Sequence, residues 1–192
     1  MGHRYELSGV HIESDLSLAT LPPGTYETTP ELTIRLAEGP LSPPLGDPIL
    51  SRSSEGVRWL SVFRCNEGYL FKVFDIADFT FDPRSAELTC APLAGSLSPV
   101  VAQLFIDQIF PLILHVTGRF SLHASAVAAH GSFVLAFLGV GGRGKSTLAV
   151  SLARTSSFTF FSDDCLALTP VTTGSPVPSG LASEPWTGAP RL

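Results

Sequence analysis

Residues 137–150 read "FLGVGGRGKSTLAV", and this stretch decides how the rest of the chain is understood. Two phosphate-binding spacings overlap in it. Gly139, Gly141 and Gly144 match G-x-G-x-x-G, the turn that seats a dinucleotide pyrophosphate. Gly139, Gly144, Lys145 and Ser146 match G-x-x-x-x-G-K-[ST], the P-loop that holds a nucleoside triphosphate. A third reading is a glycine-rich turn with no ligand.

The flanking segments give the loop a setting. Residues 120–128 and 132–138 read as buried strands joined by a turn at His130-Gly131. "GKSTLAVSLAR" reads as a helix. "FTFF" is a short strand ending at Ser162-Asp163-Asp164, and "CLALT" is another. Strand, glycine loop, helix and strand in this order predict the nucleotide-binding part of an α/β domain.

The triphosphate reading uses every polar group in the loop. Backbone N–H groups of Gly141, Gly142, Arg143, Gly144, Lys145 and Ser146 can curl around an anion. The following helix turns its positive end toward the phosphates. Lys145 adds a point charge, and the Ser146 hydroxyl is a candidate Mg2+ ligand, with Thr147 a weaker substitute. The dinucleotide reading has support of its own, because Asp163 lies about 20 residues beyond the last glycine. It gives no task to Lys145 and Ser146, or to two adjacent carboxylates. Mg2+ with ATP employs all four.

Asp163 and Asp164 are neighbours at a strand end, so their side chains face opposite ways and divide their tasks. One suits the metal; the other suits the proton of an attacking hydroxyl. The plain alternative is a turn or cap pair. His123 falls in "LHASAVA", a segment read as a buried strand. It is either a hydrogen-bonded core histidine or a neighbour of the acidic pair.

The other parts bound the function. The chain has 192 residues, a net charge of −5 and no block of Lys or Arg, which disfavours a nucleic-acid surface. Cys65, Cys90 and Cys165 form no C-x-x-C pair and read as reduced thiols. No leader pattern opens the sequence. The most apolar stretch, 99–118, carries Gln103, Asp107, Gln108, Pro111 and His115, too polar for a membrane span. A soluble, cytoplasmic protein with no membrane partner is expected.

Residues 1–98 read as a β-rich region, with a hairpin turn near Asn66-Glu67-Gly68. Residues 99–170 comprise a linking helix and the loop-bearing core. The helix has Pro99 in its first turn, and Pro111 should kink it. Val101, Leu104, Phe105, Ile109 and Leu112 mark its apolar face. Residues 171–192 are a Pro/Gly/Ser-rich tail.

"LHASAVAAHGSFVLAFLGVGGRGKSTLAVSLA" followed by "FSDDCLAL" resembles the catalytic core of HPr kinase/phosphorylase-like proteins. The likeness covers about residues 120–169. It implies an α/β P-loop core related to phosphoenolpyruvate carboxykinase, preceded by the β-rich region. It also implies ATP and Mg2+ as cofactors, and a small protein or peptide carrying an acceptor serine as partner. Lys145 and Ser146 match the family's loop residues, and His123 precedes the loop as a histidine does there. The resemblance casts Asp163 as catalytic base and Asp164 on the metal side. Gly142 stands where the family often has Ser. Family members continue with further strands, whereas here the pattern dissolves after Pro170, as in a C-terminally truncated member. Exposed strand edges and a homo-oligomer are expected. A serine kinase and a non-catalytic nucleotide-binding module both remain open.

Overall fold

The computed structural model describes residues 2–21, 23–42, 46–66, 68–129, 133–163 and 165–168. The chain divides into two units, Met1–Ile113 and Leu114–Leu192.

The first unit is built on an eight-stranded mixed sheet. Its strands are β1 (His3–Leu7), β2 (Val10–Ser14), β3 (Leu32–Leu36), β4 (Leu50–Ser54), β5 (Val57–Cys65), β6 (Gly68–Val73), β7 (Ala77–Asp82) and β8 (Glu87–Pro92). The order is β1-β2-β3-β8-β7-β6-β5-β4. Strands β4 to β8 form an antiparallel meander, while β3 pairs in parallel with both β2 and β8. Two-residue connections at Ser8-Gly9 and Glu55-Gly56 have positive φ at both positions. That backbone matches the twist of the strands they join. Alternation in "VHIES" and "LTIRL" buries Val10, Ile12, Leu32 and Ile34. The central strands bury Leu60, Phe71, Phe79, Phe81 and Leu88 almost completely. Aromatic and branched side chains dominate because they fill a pleated surface well.

One helix follows, in three parts: α1 (Ser98–Leu104), a π-helical turn (Phe105–Ile109) and α2 (Phe110–Val116). Pro111 is accommodated by this wider turn. A proline cannot donate to the carbonyl four residues back. Just before it, the Phe110 N–H instead bonds the Phe105 carbonyl, five residues back. The extra residue in that turn rotates the apolar face. Val101, Phe105 and Ile109 are buried as their spacing predicts, but Phe110, Ile113 and Leu114 take the places expected for Leu104 and Leu112. Ser98–Val116 has the length and hydropathy (1.6) of a membrane span, yet seven of its residues are buried within the fold. Burying one face is what a core helix does.

The second unit contains β9 (Phe120–Leu122), β10 (Ala124–Ala129), β11 (Phe133–Leu138), α3 (Lys145–Ala153), β12 (Phe158–Ser162) and β13 (Leu166–Leu168). Its three-stranded sheet has the order β11-β10-β12, and β10 is antiparallel to both neighbours. β9 and β13 form a separate antiparallel pair. The central strand is "ASAVAA". Its small side chains let α3 pack closely on it, with Ala124, Ala126 and Ala149 wholly buried. β11 lies at the edge of the described sheet, with Phe133, Leu135 and Leu138 exposed.

This architecture corrects the expected α/β fold with a P-loop core. Strands make up 45% and helices 18% of the described residues, with two helices among them. The larger sheet is mixed and, among the described residues, carries no repeated strand–helix–strand crossover. In the smaller unit, β11, α3 and β12 do follow in the expected sequence order. β10, however, inserts between the two strands and turns the sheet antiparallel. A local strand–loop–helix pattern specifies a connection, and the choice of pairing partner lies elsewhere in the chain. The His130-Gly131 turn and the 171–192 tail fall outside the described residues.

Three measurements check this packing. A Cβ at Gly68 would overlap the carbonyl oxygen of Phe81 on the adjacent strand. Gly68→Ala is therefore expected to lower unfolding free energy by about 1–3 kcal/mol in a urea titration. Burial pushes the Cys90 thiol up to about 12, from an ordinary 9.0. The unfolded thiol ionises first, so its stabilising effect is whole below pH ~9 and is lost as pH rises toward ~12. Denaturant titrations across that range should show the decline, and Cys90→Ala should flatten it. A thiol reagent at pH ~8 should modify exposed Cys65 at once, and Cys90 only on unfolding.

Candidate phosphate site

Three segments of the second unit meet at one carboxylate. The loop 139–144 leaves the end of β11 and enters α3 at Lys145. Gly142 and Gly144 have φ of +73° and +79°, which only glycine adopts without cost. Gly144 is the N-cap of α3 and supplies no side-chain cap, so the first-turn N–H groups have no capping oxygen. The Leu148 N–H makes the first helical bond, to the Gly144 carbonyl, at 2.9 Å. A Cβ placed at Gly139, Gly141, Gly142 or Gly144 would meet nothing within 4 Å. The loop thus faces open space, with uncapped donors at a helix N-terminus, the arrangement that receives an anion.

Lys145 reaches back over its own loop. Its Nζ donates to the Gly139 carbonyl at 3.0 Å and to the Val140 carbonyl at 3.4 Å. The ammonium is therefore held against the carbonyls at the start of its own loop. Arg143 is exposed on the loop. Thr147 is also exposed, and its carbonyl accepts from the Ser151 hydroxyl at 2.8 Å.

Ser146, one residue into the helix, turns the other way. Its Oγ donates to Asp163 Oδ1 at 2.9 Å. Asp163 directly follows β12, where the Cys165 N–H bonds its carbonyl at 2.8 Å and shapes the turn. The same carboxylate oxygen accepts a second hydroxyl, from Ser125 on β10, at 2.5 Å. The two serine Oγ atoms lie 3.3 Å apart. Ser125 is fully buried, so its hydroxyl needs an internal acceptor, and Asp163 provides it.

The structure thus brings Ser146 and Asp163 together, with Lys145 and the glycines on the adjoining loop. His123 is exposed at the junction of β9 and β10, not within a buried strand as expected. The strand residue that does reach the cluster is Ser125, two positions on. Its signal was present in "LHASAV": one hydroxyl in a run of small apolar residues requires a polar partner. Asp164 lies outside the described residues.

The donor set tests the fit of a metal. A serine hydroxyl beside a carboxylate offers hard oxygen ligands, suited to Mg2+ and unsuited to softer metals. Among the described residues no group of three His, Cys, Asp or Glu side chains is placed to hold a metal by itself. Mg2+ commonly takes one or two protein oxygens and completes its shell with water and phosphate, so the pair is compatible with it.

Gly144→Ala should cost about 1–2 kcal/mol, because it forces a Cβ into the left-handed region. Gly141→Ala has open space and no such backbone demand, so its melting temperature should match the parent. Thermal denaturation of both variants separates a backbone requirement from simple loop composition. In comparisons with known proteins, no family model, curated protein or solved structure matches the chain.

Proposed function

We propose that the second unit binds Mg2+–ATP through residues 139–146 and Asp163, and that the protein is an ATP-dependent serine kinase of the HPr kinase type. The observation that carries the nucleotide reading is the two-sided arrangement at the start of α3. Lys145 Nζ lies over the loop carbonyls, while Ser146 Oγ is bonded to Asp163. A dinucleotide turn uses neither group; a triphosphate with a metal uses both.

In this reading the loop amides and Lys145 hold the phosphates, with Gly139, Gly141, Gly142, Arg143 and Gly144 forming the cradle. Ser146 and Asp163 would hold Mg2+, directly or through water, because Asp163 is the acid bonded to Ser146; this moves Asp163 from the base role that the resemblance gave it. When bound, the metal would supply positive charge against the phosphate oxygens. When bound, ATP would supply the γ-phosphoryl group to the acceptor serine oxygen, with ADP as the leaving group. The serine proton passes to a carboxylate of the acidic pair. The acceptor is a serine on a small protein or peptide, proposed from the sequence resemblance alone. Three free thiols accord with a reducing, cytoplasmic setting.

A second reading is a nucleotide-binding module without catalysis. It is favoured by the double engagement of Asp163 Oδ1, which is already an acceptor for two internal hydroxyls. Radiolabelled phosphoryl transfer to a seryl acceptor separates the two readings. Binding without transfer would favour the module.

The binding claim is checked by titrating the 192-residue chain with a fluorescent ATP analogue in Mg2+. Saturable binding is expected, with at least tenfold weakening in Lys145→Ala, the loss of one well-placed charge contact of about 1.5–3 kcal/mol. Equal affinity in parent and variant would overturn it. Saturable NADH binding without ATP competition would restore the dinucleotide reading.

A further inference from the structure

We propose that Ser125 is a positioning residue for the metal half of this site, an inference that rests on the nucleotide reading above. Ser125 has no exposed surface and cannot touch a nucleotide or ligate a cation. Whatever it contributes must pass through the atom it contacts, Asp163 Oδ1, at 2.5 Å. That oxygen also receives the Ser146 hydroxyl at 2.9 Å.

The consequence lies in where the protons go. A serine hydroxyl has one proton and two lone pairs. Ser146 gives its proton to Asp163, which leaves its lone pairs for a cation. Ser125 gives its proton to the same oxygen and so fixes that oxygen from the interior side. The strand holding Ser125 is the central one of its sheet, paired on both edges, and is the least able of the three segments to shift. The helix bearing Ser146 and the turn bearing Asp163 are therefore referenced to β10 through one hydroxyl. Asp163 Oδ2 and the Ser146 lone pairs are the groups left to face a metal or its water. Groups that orient metal ligands in this manner commonly govern metal affinity without touching the metal.

The assignment predicts a split between metal-dependent and metal-independent binding. The loop amides and Lys145 hold the phosphates whether or not Mg2+ is present, and among the described residues the Ser125 hydroxyl meets only the side chains of Asp163 and Ser146. Losing the Ser125 hydroxyl should therefore fall mainly on the gain in affinity that Mg2+ confers.

The test titrates a fluorescent ATP analogue into the full chain, once with excess Mg2+ and once with EDTA. Parent, Ser125→Ala, Asp163→Asn and the double variant are compared. In the parent, Mg2+ should tighten binding. Ser125→Ala should lose about tenfold or more of that tightening, with a far smaller change in EDTA. The double variant should be no weaker in Mg2+ than Asp163→Asn alone, because Ser125 acts through Asp163. Ser125→Cys keeps the side-chain shape with a somewhat larger terminal atom but replaces a strong donor with a weak one, and carries the same expectation should the alanine variant fold poorly.

Full Mg2+ tightening in Ser125→Ala or Ser125→Cys would overturn the assignment and leave the nucleotide reading intact. So would equal weakening with and without Mg2+, the mark of a merely structural serine. A parent that binds nucleotide with no Mg2+ effect overturns this inference together with the metal role given above to Ser146 and Asp163, and leaves only the phosphate cradle. A parent with no saturable nucleotide binding overturns the nucleotide reading, and the role of Ser125 falls with it.

Discussion

A single carboxylate oxygen, Asp163 Oδ1, joins three segments far apart in the chain. It accepts hydroxyls from Ser125 on the central strand and from Ser146 on the helix, and it sits at the end of a third element, β12. Hydrogen bonds to an ionised acceptor are stronger than neutral ones, and a buried hydroxyl without a partner is costly. The contact therefore works in both directions. It satisfies the interior serine, and it sets where the helix begins relative to the strand. The loop 139–144 hangs between these fixed points, with its glycines free to adopt the backbone that the connection requires.

Packing explains why a helix can approach so closely. The central strand presents alanines and one valine, and Ala149 of the helix is wholly buried. Larger side chains on that face would hold α3 away and lengthen the serine–carboxylate contacts beyond bonding distance. The N-terminal unit follows a different rule. Its sheet is held by Phe71, Phe79, Phe81 and other large buried side chains, in strands whose alternation sets the register.

How much of this could be read from the residues varies by feature. The loop was legible because its constraint is local: glycines at set spacings, then lysine and serine, specify a turn and a helix start. The strand around Phe158–Ser162 and the acid after it were legible for the same reason. The α/β expectation failed because strand pairing is not local. "LHASAVAA" and "SFVLAFL" look like any two buried strands, and nothing in them states that the first will lie between the second and β12. The helix face was half legible. Spacing located Val101, Phe105 and Ile109, but the wider turn ahead of Pro111 rotated what followed. Ser125 was missed because its sequence signal, a lone hydroxyl among alanines, calls for a partner without naming the acceptor 38 residues away.

By itself, then, the sequence determined the loop, its lysine, its serine and the acid that follows, since each depends on neighbours within a few residues. Only the tertiary structure decided that the sheet is antiparallel. Only it placed His123 at the surface and set Ser125 and Ser146 on the same oxygen of Asp163. The physical reason is that a buried hydroxyl takes whichever acceptor the fold delivers to it, and pairing among distant strands makes that delivery.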